Sequence, residues 1–151
     1  MPVAQINIAR FSRAHDDPAN AAFFAALARV NAMAEAADWF VWRLVNDADD
    51  AMAAALAVSD PDLAINLSVW RDVAALETFV YRQADHRAVL ARRRDWFGPT
   101  EPYLALWPVA AGHVPSVDEG FAKLAQIAAH GPGKAAFTFA WYKQNRALAA
   151  V

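Results

Sequence analysis

The stretch that decides the fold is Leu63–Trp70, LAINLSVW. Apolar and polar side chains alternate through it, and a period of two belongs to a β-strand with unlike faces. Ile65, Leu67 and Val69 fall on one face, which is expected to pack on helices. Ala64, Asn66, Ser68 and Trp70 share the opposite face. Asp60-Pro61 breaks the chain before this strand, and Asp72 after it opens a helix carrying Leu76, Phe79 and Val80.

Outward from this strand the pattern repeats. Val3 to Arg10 alternates, setting Gln5 and Asn7 against Ile6 and Ile8. Asp17-Pro18 supplies an N-cap and a first-turn proline, so a helix is expected from there to about Ala37, with Phe23, Leu27, Val30 and Ala34 as its buried stripe. Trp39 to Asn46 reads as a strand whose cavity face is either Trp39, Val41, Arg43 or Phe40, Trp42, Leu44; both assignments stay open. Met52 to Val58 reads as a further strand, although alanine prefers helix. His86 to Phe97 reads as a helix stopped by Gly98-Pro99, and Tyr103 to Val109 as the last core strand. Ser116 to His130 opens with a Ser-x-x-Glu capping box, and Ala135 to Phe139 reads as a short edge strand. The order implies an α+β fold of the ferredoxin-like kind, an antiparallel sheet with helices on one face. Residues 1–140 are read as one domain and 141–151 as a frayed C-terminal tail.

Composition narrows the function. At 151 residues and 58% hydrophobic, the chain has enough apolar material for one well-filled core. A net charge of -2 offers no basic field for nucleic acid or an anionic membrane. Without cysteine, thiolate metal sites and thiol catalysis are excluded. The opening MPVAQINIARF lacks a signal-peptide pattern and no apolar run is long enough to span a bilayer, so a cytoplasmic location is expected. Six Trp and nine Phe exceed what filler requires, which points to a subunit interface or a ligand cavity.

The free sheet face gathers Gln5, Asn7, Asn66, Ser68 and Trp70, and on the same reasoning Tyr103 and Trp107 from the last strand. Amides, a hydroxyl and indoles together describe a polar-studded pocket for a small apolar or aromatic ligand. The plain alternative is a wetted sheet face whose amides satisfy one another. His86 is either a general base or an axial haem ligand, set against a solvated helix cap beside Asp85. No His or carboxylate pair has metal-ligand spacing, so no metal is expected. Of Arg92, Arg93 and Arg94, at most one can face a cavity, because three consecutive helical residues point in three directions.

The segments QINIAR (5–10), FVWRL (40–44), DPDLAINLSVW (60–70), LETFVYR (76–82), HRAVLARRRDWF (86–97), EPYLALWPVAAGHVP (101–115) and AFTF (136–139) resemble the bacterial family known as domain of unknown function 3291. The resemblance spans residues 3–139. That family looks like a branch of the dimeric α+β barrel superfamily, which includes antibiotic-biosynthesis monooxygenases. The resemblance implies a homodimer whose two sheets face each other as a barrel. Its quinone-forming members work without metal or flavin, and use an Asn and a Trp four residues later against a phenolic substrate. Asn66 and Trp70 match that spacing. The implied roles are Asn66 as oxyanion donor, Trp70 as wall and N–H donor, and Arg43 or Arg82 as charge stabiliser, with Trp42 also a pocket candidate. No cofactor is then needed; haem on His86 is the alternative. A cofactor-independent oxygenase, a small-ligand binder and a purely structural dimer all remain open.

Overall fold

The structure, a computed structural model, describes residues 1–45, 60–99 and 103–146. The strand expected at 52–58 therefore lies outside the described residues. Strands β1 (Val3–Arg10), β2 (Phe40–Arg43), β3 (Leu63–Trp70) and β4 (Leu104–Pro108) form an antiparallel sheet in the order β2-β3-β1-β4. The helices are α1 (Ala21–Glu35), α2 (Val73–Arg82), α3 (Ala84–Ala91), α4 (Arg93–Trp96), α5 (Val117–His130) and α6 (Phe139–Gln144). This is the α+β, ferredoxin-like architecture that the alternation implies.

Caps place the helices. Asp72 accepts from Ala75 N at 2.7 Å and starts α2 where expected. Asp17 caps a 3-10 turn, Pro18–Asn20, before α1 begins at Ala21. Ser116 accepts from Glu119 N at 3.1 Å, but the Glu119 carboxylate does not complete the box. It accepts instead from Trp107 Nε1 at 2.7 Å and meets His113 Nε2 at 2.8 Å. Burial pushes the Glu119 carboxyl up, and the bonds from His113 and Trp107 outweigh it, holding the group below the usual value. The helix expected over 86–97 breaks at Arg92, which pairs with Asp95 at 3.0 Å and lies over the Trp96 ring at 4.8 Å. Near the C-terminus, Phe137 makes a single bridge to Leu106, and Thr138 then caps α6, so residues 139–144 are helical rather than frayed.

Helices cover both faces of the sheet, which corrects the assignment of a free face. Val30 and Ala34 of α1, with Val73, Leu76 and Phe79 of α2, pack over Val3, Trp70 and Leu106. Leu124 of α5, with Phe121 and Ile127, packs over Ala4, Ile6, Leu67 and Trp107 on the other side. Alternation reveals which side chains share a face; it does not reveal which layer will cover that face. Trp107 is corrected by the same register. Leu106 pairs with Gln5 and Leu104 with Asn7, so the leucines share the polar face and Trp107 lies opposite, 1% exposed.

The α5 contact is close enough to test. A Cβ at Gly120 would lie 2.6 Å from Ile6 Cδ1 and 3.3 Å from Ile6 Cβ, and Ile6 is fully buried. Gly120→Ala should therefore destabilise by about 1–3 kcal/mol from overpacking, less up to about 1 kcal/mol of recovered helix propensity. Ile6→Val in the same chain removes the clashing methyl and should restore most of that loss. Urea unfolding of both single variants and the double variant measures it, and purely additive effects would contradict the contact.

Candidate functional site

The register of the sheet turns the polar face into a grid. Asn7 lies opposite Asn66, Gln5 opposite Ser68, and Val3 opposite Trp70. A shift of register at Val41 settles the open question in β2, because Phe40 pairs with Trp70 while Arg43 pairs with Ser68. Neither simple alternation survives, since a bulge inserts one residue and flips the parity beyond it. Phe40 and Arg43 therefore join the polar face, and Trp42 packs half-buried on the α5 side.

Gln5 and Ser68 are buried and must find partners, which the half-buried Asn7 and Asn66 help to supply. Gln5 Nε2 donates to Asn66 Oδ1 and, at 3.0 Å, to Ser68 Oγ. Asn7 Nδ2 donates to Gln5 Oε1 at 3.3 Å. Trp70 Nε1, which can only donate, reaches Ser68 Oγ at 2.9 Å. The chain runs Asn7–Gln5–Ser68–Trp70 with Asn66 as a branch. The Asn66 Nδ2 donors have no protein partner among the described residues.

Above this grid, α1, α2 and α3 enclose a pocket of about 450 Å³, within the usual size range for small-molecule sites. At one end Phe11, Phe23, Phe24 and Phe97 pack in tilted and edge-to-face pairs with ring centroids 4.8 to 5.6 Å apart. At the other, Trp70 lies against Phe79 at 4.9 Å and edge-on to Phe40 at 5.4 Å. Arg43 reaches the pocket while its Nε is held by Glu35 at 2.6 Å, at the end of α1. Arg93 lies over the Tyr103 ring at 4.9 Å, and of the three consecutive arginines it alone lines the pocket.

Of the residues expected from sequence, the pocket gathers Gln5, Asn7, Arg43, Asn66, Ser68, Trp70, His86 and Tyr103. Three stand elsewhere. Trp42 and Trp107 face α5, and Arg82 lies in an exposed groove with Glu77, Lys143 and Arg146. Arg82 is the last residue of α2 and is exposed there. Sequence reasoning missed Phe23, Phe24 and Glu35 as parts of this site; a helical stripe of Phe carries no sign that it faces a space rather than a core. Among the described residues no group of three or more His, Cys, Asp or Glu converges as a metal site would require.

His86 packs edge-on to Phe79 at 5.4 Å, with Nδ1 buried and unpartnered. Burial pushes its pKa below the ordinary 6.5, and the Val80 backbone carbonyl offsets only part of that. The unfolded chain therefore binds a proton at higher pH than the folded one, so stability is complete above about pH 7 and falls as pH drops below the unfolded value near 6.5. Replacing the ring removes this dependence. The urea midpoint of His86→Leu should change less between pH 7.5 and pH 5.5 than that of the parent chain. Equal changes in the two would contradict a neutral, buried imidazole.

The sequence pattern of the family described as Domain of unknown function (DUF3291) matches residues 2–150. No curated protein matches the chain. Among solved structures, a conserved protein from Methanosarcina mazei Go1 superposes with a TM-score of 0.52 at 9% identity, over 73% of this chain and 94% of that one. A putative antibiotic biosynthesis monooxygenase from Chloroflexus aurantiacus J-10-fl gives 0.51 at 13% identity, over 76% and 98%. A protein of unknown function from Nitrosomonas europaea gives 0.50 at 14% identity, over 76% and 95%. At such identities the likeness establishes a shared fold. With nearly its whole length matched, this chain belongs to the DUF3291 family.

Proposed function

We propose that the pocket binds a flat, mainly aromatic molecule with a phenolic or enolisable oxygen, and that the protein is an oxygenase that lets this substrate reduce dioxygen without metal or flavin. The carrying observation is the Asn66 carboxamide: Gln5 occupies its oxygen, which leaves its N–H groups as donors in an aromatic-walled space. Such preorganised donors stabilise an oxyanion as it develops. The monooxygenase description of the Chloroflexus structure agrees with this reading.

In the reaction, His86 in its neutral form takes a proton from the substrate, and the resulting carbanion–enolate pair is held at oxygen by Asn66. The carbanion transfers electrons to dioxygen and forms a carbon–oxygen bond, and the resulting peroxide takes back the proton held by His86, giving a hydroperoxide. Loss of water from that carbon leaves a carbonyl, so the net change is CH₂ plus O₂ to C=O plus H₂O. The substrate carbon is oxidised and dioxygen is reduced. Trp70 serves as a wall, since its N–H is already committed to Ser68. The working unit is a homodimer. Val41 of β2 and Val45 just after it, each about half exposed, supply apolar surface for its interface.

Oxygen uptake with a dihydroxyanthrone tests the chemistry. The parent chain should consume oxygen, and Asn66→Ala should lower kcat by about 10²–10³-fold, the usual cost of one oxyanion donor. Uptake unchanged in Asn66→Ala would overturn the mechanism. A Soret band in the purified protein that disappears in His86→Ala would replace it with a haem site. Native mass spectrometry should give a species at twice 16.5 kDa, and a stable monomer would overturn the dimer.

A further inference from the structure

We propose that the pocket selects a ligand carrying a carboxylate, and that Arg93 is the residue that recognises it; this rests on the small-molecule pocket reading above. The charged residues that line the pocket are Arg43 and Arg93, with no Asp or Glu among the described lining residues. The two arginines are not equivalent. Arg43 is answered by the Glu35 carboxylate at 2.6 Å. Arg93 lies over the Tyr103 ring and meets no carboxylate among the described residues.

A ring face satisfies one side of a guanidinium and leaves its in-plane N–H donors unused. Arg93 is half-buried, so bulk water does not fully replace a missing anion. A planar fork of donors in a partly dry, aromatic-walled space matches a carboxylate, which it can bind through two parallel hydrogen bonds. Arg92 and Arg94 do not compete for this role: both are exposed, and Arg92 is paired with Asp95.

The position of Arg93 sets the ligand's direction. The Tyr103 carbonyl accepts from Ile8 N at 2.9 Å, which places Tyr103, and Arg93 over it, at the Asn7 end of the grid. Trp70 stands four residues along β3 from Asn66, on the order of 13 Å away at strand rise. A fused-ring body lying along β3 toward Trp70 and Phe79, with its acid group at Arg93, uses the full length of the pocket.

Titration calorimetry with anthraquinone-2-carboxylate and with anthraquinone-2-carboxamide separates charge from shape. The parent chain should prefer the acid roughly 10- to 100-fold, the range expected for charge-assisted hydrogen bonds. Arg93→Gln should bind both probes alike, and Arg93→Lys should keep part of the preference. Equal binding of both probes by the parent chain would overturn the carboxylate assignment and leave the pocket reading intact. A preference that survives Arg93→Gln would move recognition to another cation and overturn the role of Arg93. Failure of the parent chain to bind either probe would overturn the pocket reading, and this inference with it. The parent-chain comparison decides the matter even if Arg93→Gln does not fold.

Discussion

The pairing of β1 with β3 is the constraint on which the rest depends. It brings Gln5, Asn7, Asn66 and Ser68 together on one sheet face beneath helices. A buried amide or hydroxyl such as Gln5 or Ser68 left unpaired there would cost about 1–3 kcal/mol, so the arrangement survives because these two bond to Asn7, Asn66 and Trp70. A register slip of one residue would exchange them for Ile6 and Leu67, destroying the network and the apolar packing under α5 together. Register here is over-determined, and the same determination that secures the fold also builds the floor of the site.

The helices above this floor are held off by bulk at both ends. Phe11, Phe23 and Trp96 form a separate buried aromatic cluster at one end. At the other, Trp70, Phe79 and Val30 belong to the core under α1 and α2. Between these pillars the face carries shorter polar side chains, and close packing fails there. The pocket is thus a consequence of where large and small residues fall on one face. Seven of the nine Phe line it, whereas of the six Trp only Trp70 does.

Much of this was legible in the sequence because period two is a strong signal. The alternation of LAINLSVW and of Val3–Arg10 identifies which side chains stand together, and Gln5, Asn7, Asn66 and Ser68 do. What failed were assignments that depend on relations between strands. The last strand offers two apolar faces, and only its pairing with β1 shows that Leu104 and Leu106, not Trp107, lie over the amides. In β2 no alternation could have chosen correctly, because the shift at Val41 puts Phe40 and Arg43 on one face. A capping box at Ser116 and Glu119 was readable, but not the diversion of its carboxylate to Trp107 and His113, which a fold must bring near.

The pocket's walls differ in how firmly they are held. α1 and α2 each bury four residues, whereas α3 buries none, although it brings His86, Val89 and Leu90 to the pocket. Elements with little buried apolar surface open at the lowest free energy. The break at Arg92 gives α3 an end of its own, so it need not move together with Trp96, which stays 2% exposed in the aromatic cluster. The floor is thus fixed by paired strands, while α3 is the wall with the least buried surface. His86 stands on that less firmly held wall, whereas Asn66 stands on the floor, so the two reach the pocket from elements of unlike stability.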